Sequence, residues 1–176
     1  MKLNNLIFTA LAGFSIILAG CQNNDENEQH YDNKLFISAS NFTKEILFKA
    51  GDTNVETGLS VAIAKPEEHD IKVTMSPAPE LLSTYKLAYY DETAVLLSEE
   101  HYSMPETSTT IKSGSIVSPE LPIEFINTGE LDIKTTYVLP VTIKSVEGIG
   151  VLQSAKTYYY VFRGASLINV VCNISR

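Results

Sequence analysis

The chain has 176 residues, with 13 basic, 21 acidic and 3 histidine side chains and a formal net charge of −8. That acidic surplus argues against nucleic acid or an anionic membrane surface as an electrostatic partner, because both require a basic footprint. The length beyond the first 34 residues is enough for one domain with a real core.

Lys2 is the only early positive charge, and an apolar run from Leu6 to Leu18 ends in the small residues Ala19 and Gly20. A charged start, a short apolar middle and a small-residue end predict a signal peptide over residues 1–20. The run is shorter than the roughly 20 apolar residues of a membrane-spanning helix. Leu18-Ala19-Gly20-Cys21 resembles a bacterial lipobox, in which Cys21 is acylated and becomes the first residue of the mature chain. The thiol is the acyl acceptor, and the small residues before it let a peptidase reach the backbone. Two or more acyl chains hold a protein on a membrane stably where one does not. With Cys21 lipidated, Cys172 stands alone, which leaves no intramolecular disulfide and no cysteine-based zinc site.

Residues 21–34 hold no aliphatic side chain before Leu35. Such a segment cannot bury enough apolar surface to offset its ordering entropy, so it reads as a flexible acidic tether. Asp25, Glu26 and Glu28 resemble the acidic export signals of surface-exposed lipoproteins in gut anaerobes. That resemblance implies an outer-membrane, outward-facing location, with the membrane as a partner through the lipid.

From Leu35 onward the hydrophobic period is two. Leu35 and Ile37, Ile46 and Phe48, Leu59, Val61 and Ile63, Ile71, Val73 and Met75, Ile123 and Phe125, Tyr137 to Ile143, and Tyr158 to Phe162 give about seven short strands. Turn residues separate them at Gly51-Asp52, Lys65 to Glu68, Ser113-Gly114, Thr128-Gly129 and Glu147-Gly148. This is the pattern of an all-β, antiparallel β-sandwich over residues 35–163. One segment differs: Pro79 to Tyr90 places Leu81, Leu82, Tyr85 and Tyr89 at helical spacing. It predicts one short helix, opened by Pro79, that covers one end of the sandwich, with a loop through 94–102.

Residues that carry chemistry are sparse. His30, His69 and His101 stand at no metal-ligand spacing, and Glu67-Glu68-His69-Asp70 and Glu99-Glu100-His101 read as solvated turns. Neither a Gly-rich phosphate loop nor a G-x-S-x-G elbow occurs. The expectation is therefore a protein without catalytic residues, metal or cofactor. Tyr89-Tyr90 and Tyr158-Tyr159-Tyr160 form the aromatic clusters. On a strand, Tyr158 and Tyr160 face one way and Tyr159 the other, so Tyr159 is the ring that parity leaves for solvent and the candidate ligand contact. Asn41-Phe42-Thr43 and Asn173-Ile174-Ser175 match the N-glycosylation pattern by chance.

The stretches L-S-V-A-I-A-K-P, I-K-V-T-M-S-P, T-T-Y-V-L-P-V-T-I-K-S-V and K-T-Y-Y-Y-V, within residues 58–163, are similar to domain-of-unknown-function family 1735. That family is an Ig-like N-terminal module of lipoproteins in the glycan-utilisation systems of gut anaerobes. The resemblance implies an Ig-like sandwich and an accessory, non-catalytic role. Polysaccharide or other outer-membrane glycan-utilisation proteins are the implied partners, and a ligand-free Ig-like spacer or protein-docking module is the alternative. Leu97-Ser98 departs from the Leu-Pro usual before the family's tyrosine, here Tyr102. Residues 164–176 read either as a last strand, Leu167 to Ile174, or as the start of a downstream domain. The expectation is that the chain is cut short before such a domain.

Overall fold

The computed structural model describes residues 32–165. The signal peptide, Leu18, Ala19, Gly20, Cys21, the tether as far as Tyr31, Cys172 and the strand expected from Leu167 lie outside the described residues.

The longest strand, β10 (Tyr137–Val146), organises one layer. Its six successive residues Val138 to Ile143 are all buried, so both of its faces must be covered. β12 (Thr157–Gly164) pairs antiparallel along one side, with Leu139 opposite Tyr160. The other side of β10 is shared. β5 (Ile71–Pro77) takes Val141 to Val146, and the two-residue β6 (Val95–Leu96) takes Tyr137 and Val138. Pro140 falls in the gap between them, and its carbonyl accepts from the Ala78 N–H at 2.9 Å. Its nitrogen faces the same gap, so a proline in a central strand forfeits no ladder bond. β2 (Thr43–Phe48) runs parallel to β12 at one edge, and β8 (Ser108–Ile111) lies beside β5 at the other.

The second layer comes from shorter strands. β3 (Val55–Leu59) pairs with β9 (Leu121–Phe125), which pairs with β7 (Tyr102–Ser103). After a break at Ser60 the chain continues as β4 (Val61–Ala62), which pairs with β1 (Lys34–Ile37), itself flanked by β11 (Gly150–Val151). The run expected as one strand over Leu59–Ile63 is thus two strands with different partners. Its faces survive, because Leu59, Val61 and Ile63 all point into the core. The layers meet through aromatic edges. Phe125 on β9 packs edge-to-face at 4.6 Å against Phe162 and 5.2 Å against Tyr160, with interplanar angles of 71° and 61°. Such edge-to-face pairs add about 0.5–1.5 kcal/mol each beyond their buried area.

All seven expected strands are present, and the described residues form an all-β sandwich with one α-helix. Four features depart from expectation. β6, β7, β8 and β11 were not legible, being two to four residues long with little alternation. Three pairings, β1 with β11, β6 with β10 and β2 with β12, are parallel within an otherwise antiparallel arrangement. Order begins before Leu35, since the Asn33 side chain is tied to Ala64, Lys65 and Glu67. The helix lies across a sheet face and not at an end of the sandwich.

Candidate functional site

That helix builds the most distinctive surface. Pro79–Leu81 forms a 3-10 turn that continues into α1 (Leu82–Tyr89). Its inward residues, Leu81, Leu82 and Tyr85, pack with Ala94 on Val138 of β10 and on Tyr159 and Val161 of β12. These are the side chains that point away from the main core. The expected exposure of Tyr159 is therefore overturned: the residue is 8% exposed. Parity places it correctly on the outer face, but α1 covers that face.

The rings of the helix and strand meet there. Tyr85 and Tyr89 stack at 4.8 Å with an interplanar angle of 29°, and Tyr159 meets Tyr85 at 5.4 Å and Tyr89 at 6.1 Å. Tyr85 is buried, whereas Tyr89 remains 41% exposed. Tyr90 ends α1 in the left-handed region (φ 54°, ψ 34°), with its N–H bonded to the Lys86 carbonyl, and is 92% exposed. Beside the rings, Arg163 lies 3.7 Å from Glu45 and 3.7 Å from Asp91. Burial pushes the Tyr85 hydroxyl above the ordinary tyrosine range, and a hydrogen bond with Arg163 opposes the shift. Burial raises Tyr89 and Tyr159 as well. The result is a partly open aromatic cluster edged by mixed charge.

Two grooves lie elsewhere. One of about 580 Å³ is lined by Glu56, Thr57, Gly58, Pro105, Glu120 and Glu124. Glu56 stands directly opposite Glu124 across β3 and β9. The other, about 320 Å³, is lined by Pro77, Pro79, Leu96, Leu97, Ser98 and Tyr102. The turns read from Glu67 and Glu99 are ordered by contacts with segments distant in sequence. Asp70 accepts from Lys112 at 2.7 Å and from the Ser113 N–H at 2.9 Å, so its carboxyl sits below the usual range. His101 Nδ1 lies 3.1 Å from the Ile126 carbonyl. Among the described residues, no group of three or more His, Cys, Asp or Glu is placed to hold a metal ion.

The helical spacing over Pro79 to Tyr90 places Tyr89 on one stripe with Leu81, Leu82 and Tyr85 and leaves Tyr90 without an orientation. That spacing turns Tyr89 to the rim of the buried stripe.

A family model described as a "-like, N-terminal domain" matches residues 31–150. No curated protein matches the sequence. Among the solved structures similar in fold are the following three. A protein of Bacteroides ovatus ATCC 8483, provisionally described as carbohydrate-binding, is 18% identical with a TM-score of 0.66, over 74% of this chain and 36% of its own. EndoBT-3987 of Bacteroides thetaiotamicron, solved with a Man5GlcNAc product, is 19% identical with a TM-score of 0.61, over 74% of this chain and 30% of its own. A multidomain protein including DUF1735 from Bacteroides ovatus is 21% identical with a TM-score of 0.53, over 73% of this chain and 42% of its own. The chain therefore spans well under half the length of each.

Proposed function

We propose, given that the chain belongs to the "-like, N-terminal domain" family over residues 31–150, that it is a surface-tethered accessory lipoprotein of a polysaccharide-utilisation system. It binds glycan, or supports a glycan-binding or hydrolase domain, and catalyses nothing itself. The observation that carries this reading is the fold shared with a provisionally carbohydrate-binding protein and with an endoglycosidase solved with its glycan product. The assignment of residues 58–163 to family 1735 draws support from the multidomain neighbour that includes that domain. Cys21 is the lipid attachment point, the outer membrane is the site of anchoring, and the sandwich faces outward.

One observation favours the spacer alternative. In each of those structures the shared fold accounts for 42% of the chain or less, a share suited to holding another domain in place.

The test combines palmitate labelling of wild type and Cys21→Ser, protease shaving of intact cells, and transcript measurement on single polysaccharides as carbon source. Label that depends on Cys21, cleavage on intact cells and induction by a polysaccharide are expected. Induction by no polysaccharide, or label that persists in Cys21→Ser, refutes the reading.

A further inference from the structure

We infer that Tyr89, at the C-terminal end of α1 with the exposed Tyr90 next to it in sequence, forms a stacking platform for the C–H face of a neutral pyranose. The inference deepens the accessory-lipoprotein reading and rests on it.

The Tyr89 ring is held before any ligand arrives. Tyr85 lies along one face at 4.8 Å and Tyr159 meets it edge-on at 6.1 Å, yet the residue stays 41% exposed. A ring fixed on two sides and open on the rest has little rotamer freedom left to lose on binding. Tyr90 adds an independent observation. Helices commonly close on glycine in the left-handed conformation it adopts, because a side chain there is strained. At 92% exposure, its ring recovers little of that cost through packing. The left-handed backbone closes α1, with the N–H groups of Tyr90 and Asp91 both on the Lys86 carbonyl, but a glycine would close it with less strain, so the cap does not account for the tyrosine ring.

The rim sets the ligand's chemistry. Arg163, paired with Glu45 and Asp91, lies against the neighbouring Tyr85, with exposed Glu92 next in sequence. Apolar ring surface bordered by donors and acceptors suits a molecule with one C–H face and hydroxyl edges. A lipid surface needs a broader apolar patch. Acids outnumber bases at this rim, as they do across the chain at −8, so an anionic sugar is disfavoured.

Affinity gel electrophoresis of the full chain in detergent tests the inference, with α-mannan, laminarin, xyloglucan and pullulan as neutral probes and polygalacturonate as the anionic one. At least one neutral polysaccharide should retard the wild type, and polygalacturonate should not. Tyr89→Phe keeps the ring and should bind as wild type. Tyr89→Leu keeps apolar bulk without the ring and should weaken binding by about tenfold, the loss of one stacking contact. Tyr90→Gly should weaken binding while melting no lower than wild type, which separates a ligand role from a folding role. Leu87→Ala, exposed on the same helix, should change nothing. Wild-type retardation with Tyr89→Leu or Tyr90→Gly unaffected overturns the platform and leaves glycan binding standing at another surface. Retardation by no neutral probe also overturns it, and polysaccharide-induced expression then leaves the supporting role intact.

Discussion

The Tyr160 hydroxyl is wholly buried and has no hydrogen-bond partner among the described residues. Burial pushes it far above the ordinary tyrosine range. The neighbouring Thr57 hydroxyl accepts from Lys44 at 2.6 Å and does not meet the Tyr160 hydroxyl in hydrogen-bond geometry. An unpaired buried hydroxyl costs about 1–3 kcal/mol, whereas the ring earns its place through edge-to-face contact with Phe125 and Tyr158. Tyr160→Phe keeps those contacts and should raise the urea-unfolding free energy by about 1 kcal/mol; a loss of stability would mean the hydroxyl is bonded after all. Tyr90→Gly relieves left-handed backbone strain and should stabilise by about 1 kcal/mol in the same assay. Tyr159 shows the limit of residue-level reading. Alternation assigned its face, yet burial was decided by α1, some 70 positions away along the chain.

Between residue and domain, the β2–β3 turn is held by contacts too close to vary. Gly129 donates its N–H to the Asp52 carbonyl at 3.1 Å, and Thr128 Oγ1 donates to the Thr53 carbonyl at 2.8 Å. A Cβ on Gly129 would press on the backbone nitrogens of Gly51 and Asp52. Backbone cannot rotate aside as a side chain can, so Gly129→Ala should destabilise by about 2–3 kcal/mol, read as a lower thermal midpoint. An unchanged midpoint would show that the turn shifts freely. The helix follows similar logic. Tyr137 to Val146 and Thr157 to Gly164 alternate so weakly that both faces of β10 and β12 are apolar, and α1 is the element that covers the outer one.

For the domain as a whole, the buried tyrosines set its response to alkali. Burial holds the hydroxyls of Tyr85, Tyr158, Tyr159 and Tyr160 above their ordinary value, whereas in the unfolded chain they titrate near about 10. Their neutral forms favour the fold. That contribution is complete below about pH 10 and is lost as pH rises towards the folded-state values. Tyrosinate absorbance followed with far-UV circular dichroism as pH rises reads this in the tyrosine rings. The buried ones should ionise only as β-structure collapses. Ionisation of all nine tyrosines with the sheet intact would contradict this packing.

The existence and faces of the seven alternating strands were determined by the sequence alone, because period-two alternation is local and needs only a one-sided core, whereas the short β6, β7, β8 and β11 were not. Leu59, Val61 and Ile63 kept their common face even where their strand broke in two. Which strands are neighbours, which run parallel, and what lies over each face were decided only by tertiary structure. Those choices depend on hydrogen bonds between segments distant in sequence, such as the Tyr159 N–H donating to the Phe42 carbonyl at 3.0 Å. Alternation records which side chains point together but not what they meet, so Tyr159 lay beneath a helix and Tyr89 stood at its open edge.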